Sequence, residues 1–112
     1  MVEPRWLVRD GVVLAAVEVP SDTRGRARGL LGRDGIEGVM LLRPCRHVHT
    51  IRMRFAIDVA FCDRDDVVVR VTSLPPGRLS PFVWRAAYVL EAEVGAFARW
   101  GLRVGDRIEL KP

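Results

Sequence analysis

Cys45, His47 and His49 alternate along one short stretch of the chain. On a β-strand alternate side chains share a face, so these three could meet one metal ion. Zinc centres also draw closely spaced ligands from a second element, and the sequence offers no such pair, so no metal and no cofactor is expected. A thiol beside an imidazole could also act as a nucleophile, with Asp58 orienting the ring. Neither a strand-to-helix elbow nor a glycine-rich loop surrounds Cys45, so an oxyanion would have no donors. The preferred reading is a thiol beside two strand histidines.

Two carboxylates fall inside apolar runs. Asp58 interrupts Ile57–Phe61, where an ionised group is costly unless it is paired. An arginine (Arg28, Arg52 or Arg54) or backbone amides could hold it. Glu91 interrupts Tyr88–Val94 and should face outward by alternation. Together with His49 the two acids could serve a hydrolase-like enzyme, but structural pairing is the preferred role for them.

Residues 24 to 54 carry eight arginines against Asp34 and Glu37, an excess of +6 in a chain whose net charge is +4. Such a window could attract an anionic ligand, an acidic partner or nucleic acid. Of the 18 basic residues 17 are arginine throughout the chain, so the bias is not local. Aromatics make up 7%, with only Phe55 close to the window, which makes nucleic-acid binding weak and sequence-independent. Gly29-Leu30-Leu31-Gly32 lacks the spacing and the lysine of a phosphate-binding loop.

The elements that must position these residues are mostly strands. Asp10-Gly11 is a two-residue turn between Arg5–Arg9 and Val12–Val19, and the second arm is apolar on both faces, as in a buried central strand. Ser21 and Asp22 can cap a helix from about Thr23 to Leu31, with Gly32 ending it. Strands follow over Val39–Leu42, His47–Phe55, Ile57–Phe61 and Val67–Thr72. The stretch 74–86, rich in proline and aromatics, is a long loop expected to fold back on the core. Ala87–Val94 is a strand, Ala96–Trp100 a short helix, and Arg107–Leu110 a closing strand. At 112 residues with 49% hydrophobic content, this is a single domain, 1–112, of mainly β class. A compact sandwich or barrel-like form with seven to eight strands and two short helices is expected.

Several stretches together resemble one family. These are Arg26-Ala27-Arg28-Gly29-Leu30-Leu31-Gly32-Arg33, Ile57-Asp58-Val59-Ala60-Phe61 and Tyr88-Val89-Leu90-Glu91, followed by Gly95, Gly101-Leu102 and Gly105-Asp106. Their order and spacing, from about Val19 to Leu110, are similar to those of the bacterial and archaeal domain of unknown function 192. The resemblance implies a compact sandwich-like β fold with small helices, and no biochemical function. Many members have tryptophan-methionine where this chain has His49-Thr50, and most have proline where it has Ala56.

The expected function is non-catalytic binding of a partner protein or a small anionic ligand. The surface would combine the 24–33 helix, the 47–54 strand and the 74–86 loop. The candidate residues are Arg28, Arg33, His49, Arg52, Asp58, Trp84 and Glu91. No apolar run reaches the roughly 18 residues of a membrane span, and Met1–Arg5 carries an acid and a proline where an export signal would be basic and apolar. A cytoplasmic protein with reduced Cys45 and Cys62 is expected.

Overall fold

Asp10 and Gly11 both have positive φ, 51° and 77°, and they fold Trp6–Arg9 (β1) onto Val12–Glu18 (β2) as an antiparallel hairpin. The computed structural model describes residues 3–20 and 29–112. Val39–Leu42 (β3) enters the sheet parallel to β2, with Val17 opposite Val39 and Glu18 opposite Met40. Gly38 makes that approach possible. Its φ is +71°, and a β-carbon there would lie 2.4 Å from the Ala16 carbonyl oxygen.

Ile57–Cys62 (β4) and Val68–Leu74 (β5) form a second hairpin. Asp63 shapes its turn, its Oδ1 accepting from the amides of Asp65 (2.9 Å) and Val67 (3.0 Å). Tyr88–Glu93 (β6) lies between β3 and β4 and is antiparallel to both. A single turn of helix, Ala96–Trp100 (α1), ends at Gly101, and Glu109–Lys111 (β7) pairs with β1.

The strand order is β5-β4-β6-β3-β2-β1-β7. Its two edges meet: Val68 N–H donates to Asp106 O (2.8 Å), Gly105 N–H to Val68 O (2.8 Å) and Ile108 N–H to Asp66 O (3.0 Å). The fold is therefore mainly β, and of the two expected forms it takes the barrel-like one. The interior is filled by side chains such as Leu7, Val39, Leu90, Tyr88, Phe97 and Ile108. A second apolar layer, including Met40, Val59, Phe61 and Val89, covers the outer face of β3, β6 and β4 beneath Leu30, Ile36, Val48 and Met53.

Three expectations need correction or lie out of reach. β2 is central in the order but not buried: Val12 and Val13 are exposed and Leu14, Ala15 and Val17 half-buried. β3 pairs only with its last two residues, so the hairpin tip projects uncovered. His47–Phe55 is no strand. A turn at Ile51–Arg52, with Arg52 at φ 67°, breaks the alternation, and Val48, Thr50 and Met53 are its buried residues. The helix of 23–31 lies largely outside the described residues, and Gly29–Gly32 forms a turn.

Candidate functional site

Asp58 is 4% exposed. Its Oδ1 accepts from Ser73 Oγ (2.6 Å), and its Oδ2 from the amides of Gly95 (3.0 Å) and Phe97 (3.3 Å). These amides open α1, whose own N-cap residue, Gly95, has no side chain to satisfy them, so a carboxylate from a distant strand caps the helix. Of the two partners expected for Asp58, backbone amides are the ones present. Among the described residues no arginine touches it.

Glu91 is also 4% exposed, which corrects the outward orientation expected from alternation. β6 is covered on both faces from Tyr88 to Ala92, and its only exposed residue is Glu93 at its end. Glu91 lies opposite Met40 on one side and Val59 on the other, without a hydrogen bond among the described residues. Burial pushes its carboxyl up to about 7.

Asp58 stands opposite Ala92, and Glu91 opposite Val59. Neighbouring strand positions point to opposite faces. The two acids therefore sit on opposite sides of the sheet and share no cleft. His49 belongs to neither. It is exposed, its Nδ1 accepts from the Ile51 amide (3.3 Å), and it bridges to Leu79.

The remaining sequence candidates are similarly dispersed. Arg28 is outside the described residues. Arg33 is bound to Glu18 through both terminal nitrogens, and Arg52 is exposed on its turn. Cys45 Sγ donates to the His47 carbonyl (3.1 Å). Cys62 is buried on the opposite side of the Ala87 peptide, and burial pushes its thiol up to about 12, which makes it a poor nucleophile. No cluster of three metal-ligating side chains forms among the described residues.

What the fold does assemble is a surface at the end of β3 and the start of β6. Residues 45–50 and 78–87 run side by side, tied by Val83 N–H to Arg46 O (2.8 Å), Ser80 N–H to Val48 O (2.9 Å), Cys45 N–H to Ala87 O (3.3 Å) and the buried Thr50. Fold-back of the 74–86 loop is thus correct for its backbone and for Leu74, Val83 and Ala86. It fails for Leu79, Phe82 and Trp84. With Val83 turned to the core, its neighbours face water, Phe82 at 48% and Trp84 at 77% exposure.

Phe82 contacts Trp84 edge to face, ring centroids 4.7 Å apart, and His47 on its other side at 5.7 Å. A cleft of about 660 Å³ lies beside them, lined by Arg43, Cys45, Arg46, His47, Phe82 and Ala86. A smaller one of about 340 Å³ adjoins it past Arg46, where Trp84, Arg64 and Arg85 face Asp63 and Asp65. Arg43 lies 4.4 Å over the ring of Tyr88, whose hydroxyl donates to Asp66 Oδ1 (2.7 Å). Arg46 donates from Nε to Ala86 O (3.3 Å). Among the described residues none of Arg43, Arg46, Arg64 and Arg85 is in an ion pair.

Of the described sequence candidates, Trp84 lines one of these clefts, and His49 lies in the paired segments without lining either. The signal that could have found the rest is two short segments, Arg43-Pro44-Cys45-Arg46-His47 and Phe82-Val83-Trp84-Arg85, each placing arginine beside an aromatic ring.

These features define a small barrel-like β protein with an external cleft of arginine and aromatic side chains. Residues 6–110 match the family described as "Uncharacterized ACR", the domain of unknown function 192, and the chain belongs to it. A UPF0127 protein of Pyrococcus abyssi is 32% identical over 98 residues, covering 83% of this chain and 84% of that one. A second, from Pyrococcus furiosus, is 39% identical over 62 residues, 55% of this chain and 53% of that one. The fold is similar to a crystal structure from Sinorhizobium meliloti described as that of a candidate transcription regulator (TM-score 0.76, 24% identity, 94% of this chain and 90% of that one). It is also similar to a protein of unknown function from Novosphingobium aromaticivorans (TM-score 0.65, 23% identity, 85% and 74%). At these identities the structural likeness concerns the fold.

Proposed function

We propose that this chain is a non-catalytic binding module whose working face is the cleft between residues 43–47 and 82–87, and that its ligand is anionic. One observation carries the reading: Arg43 and Arg46 line the larger cleft, whose lining holds no carboxylate among the described residues, next to rings held in solvent. Guanidinium groups without an internal acid are available to an outside one. The consumption of Asp58 as a helix cap, and its separation from Glu91, favour binding over acid–base chemistry. A cytoplasmic setting belongs to the same proposal, supported by two thiols that are not joined to each other; no described helix is long and apolar enough to cross a membrane.

The test is an amide-shift titration with inorganic pyrophosphate at low salt. Shifts concentrated at 43–47 and 82–87, and lost in Arg43→Ala/Arg46→Ala, are expected. Shifts elsewhere, or none, would overturn the reading.

A further inference from the structure

We infer that the anion this face takes is single-stranded nucleic acid, its bases on the His47–Phe82–Trp84 rings and its phosphates on the neighbouring arginines. This inference rests on the binding reading above and names its ligand class. The sequence separates Phe82 and Trp84 from the arginine-rich window by some thirty residues; the backbone pairing of 45–50 with 78–87 brings them together with His47 and its neighbouring arginines.

Three observations select this ligand. First, the rings are held out by construction. Val83 is turned inward and its amide is bound to Arg46 O, so Phe82 and Trp84 on either side cannot both fold onto the core. Second, the rings touch in succession at 5.7 and 4.7 Å, a track with more than one flat face, which suits consecutive bases more than one nucleotide. Third, charge is graded along the track. Among the described residues the lining of the cleft at the His47 end carries Arg43 and Arg46 and no acid, whereas that at the Trp84 end, which Arg46 also borders, sets Arg64 and Arg85 against Asp63 and Asp65. Phosphates therefore follow the Arg43–Arg46 side.

A duplex hides its base faces, and among the described residues no helix lies on this face to read a groove. An acidic peptide would meet the arginines but would make no use of the rings. Stacking tolerates any base and no described residue of this face is arranged to read base edges, so binding is sequence-independent.

The experiment is fluorescence anisotropy with labelled eight-nucleotide oligouridine RNA and oligothymidine DNA, at 50 and 200 mM salt. Either strand is expected to bind, weakening about ten- to thirtyfold at the higher salt for three phosphate contacts. Phe82→Ala and Trp84→Ala should each weaken binding roughly tenfold. Arg46→Ala should flatten the salt dependence by about 0.7 in log–log slope. Arg5→Ala, just before β1 and hydrogen-bonded through its backbone to Val17 and Lys111, is the charge-matched control and should change affinity less than about twofold by the same electrostatics. Both ring variants remove exposed side chains, and unchanged thermal melts verify their fold.

Affinity indifferent to both ring variants, equal affinity for the duplex, or equal competition by polyglutamate overturns the nucleic-acid inference. So does absence of oligonucleotide binding while pyrophosphate still shifts the amides of 43–47, and in these cases the anion-binding reading stands. If no anion perturbs this face, both fall.

Discussion

A carboxyl group buried between Met40 and Val59 without a hydrogen bond among the described residues ties stability to pH. In the unfolded chain Glu91 ionises near its ordinary 4.5, and in the folded one near 7. Between those values the native state holds the proton more tightly. The stabilisation is complete below about 4.5 and lost as pH rises through 7, by roughly 3 kcal/mol in all. Glu91→Gln should remove this dependence and give similar urea midpoints at pH 5 and 8; a variant as pH-dependent as the parent would refute the assignment. Asp58→Ala strands the Gly95 and Phe97 amides, and about 3 kcal/mol should be lost. A loss under about 0.5 kcal/mol in urea melts would contradict its capping role. The burial of Asp58 was legible from Ile57, Val59 and Phe61 around it. That of Glu91 was not, because alternation reports which side chains share a face and not whether anything covers that face.

Among the elements, the stretch 47–55 holds the proposed binding face in place without regular structure. Thr50 Oγ1 donates to Pro75 O (2.6 Å) and accepts from the Arg78 amide (2.9 Å), while its backbone bonds to Arg78 and Gly77. Thr50→Val keeps the shape and removes the hydroxyl, so Pro75 O and Arg78 N–H lose a partner in a dry site. We expect about 2 kcal/mol of destabilisation and faster amide exchange at Arg78, with the melts of the β4–β5 hairpin following the global loss. Period-two spacing suggested a strand here, but the positive φ of Arg52 and the pull of Thr50 toward the 75–78 turn override it. The regular strands were legible where turn chemistry bounded them, as at Asp10-Gly11 and Asp63–Asp66. The binding face was not, because it depends on hydrogen bonds between segments some thirty residues apart, which no local pattern records.

At the level of the whole molecule, closure decides how the ligand is met. The interior is filled with side chains, so the proposed ligand is met outside it, and the proposal places it on the loops at one end of β3 and β6. An open sandwich would leave the Val68 and Ile108 amides to solvent. In the closed form they donate to Asp106 O and Asp66 O. Hydrogen exchange should therefore find both protected, and exchange at unstructured-chain rates would show that the barrel is open. The sequence left sandwich and barrel open because the closing segments, 66–68 and 105–108, are distant in the chain and joined by few bonds.

The parallel pairing of β2 with β3 has a further consequence. It spans only Val17–Val39 and Glu18–Met40, and the closure on the other side is equally narrow. The barrel is thus two staves, β7-β1-β2 and β3-β6-β4-β5, hydrogen-bonded along two thin seams and packed on a shared core. Units so joined separate before either dissolves. In dilute denaturant the three-stranded stave should detach as one body, its amides sharing a single opening energy below that of β4 and β6, while the cleft at Arg43–His47 stays with the four-stranded stave that carries it.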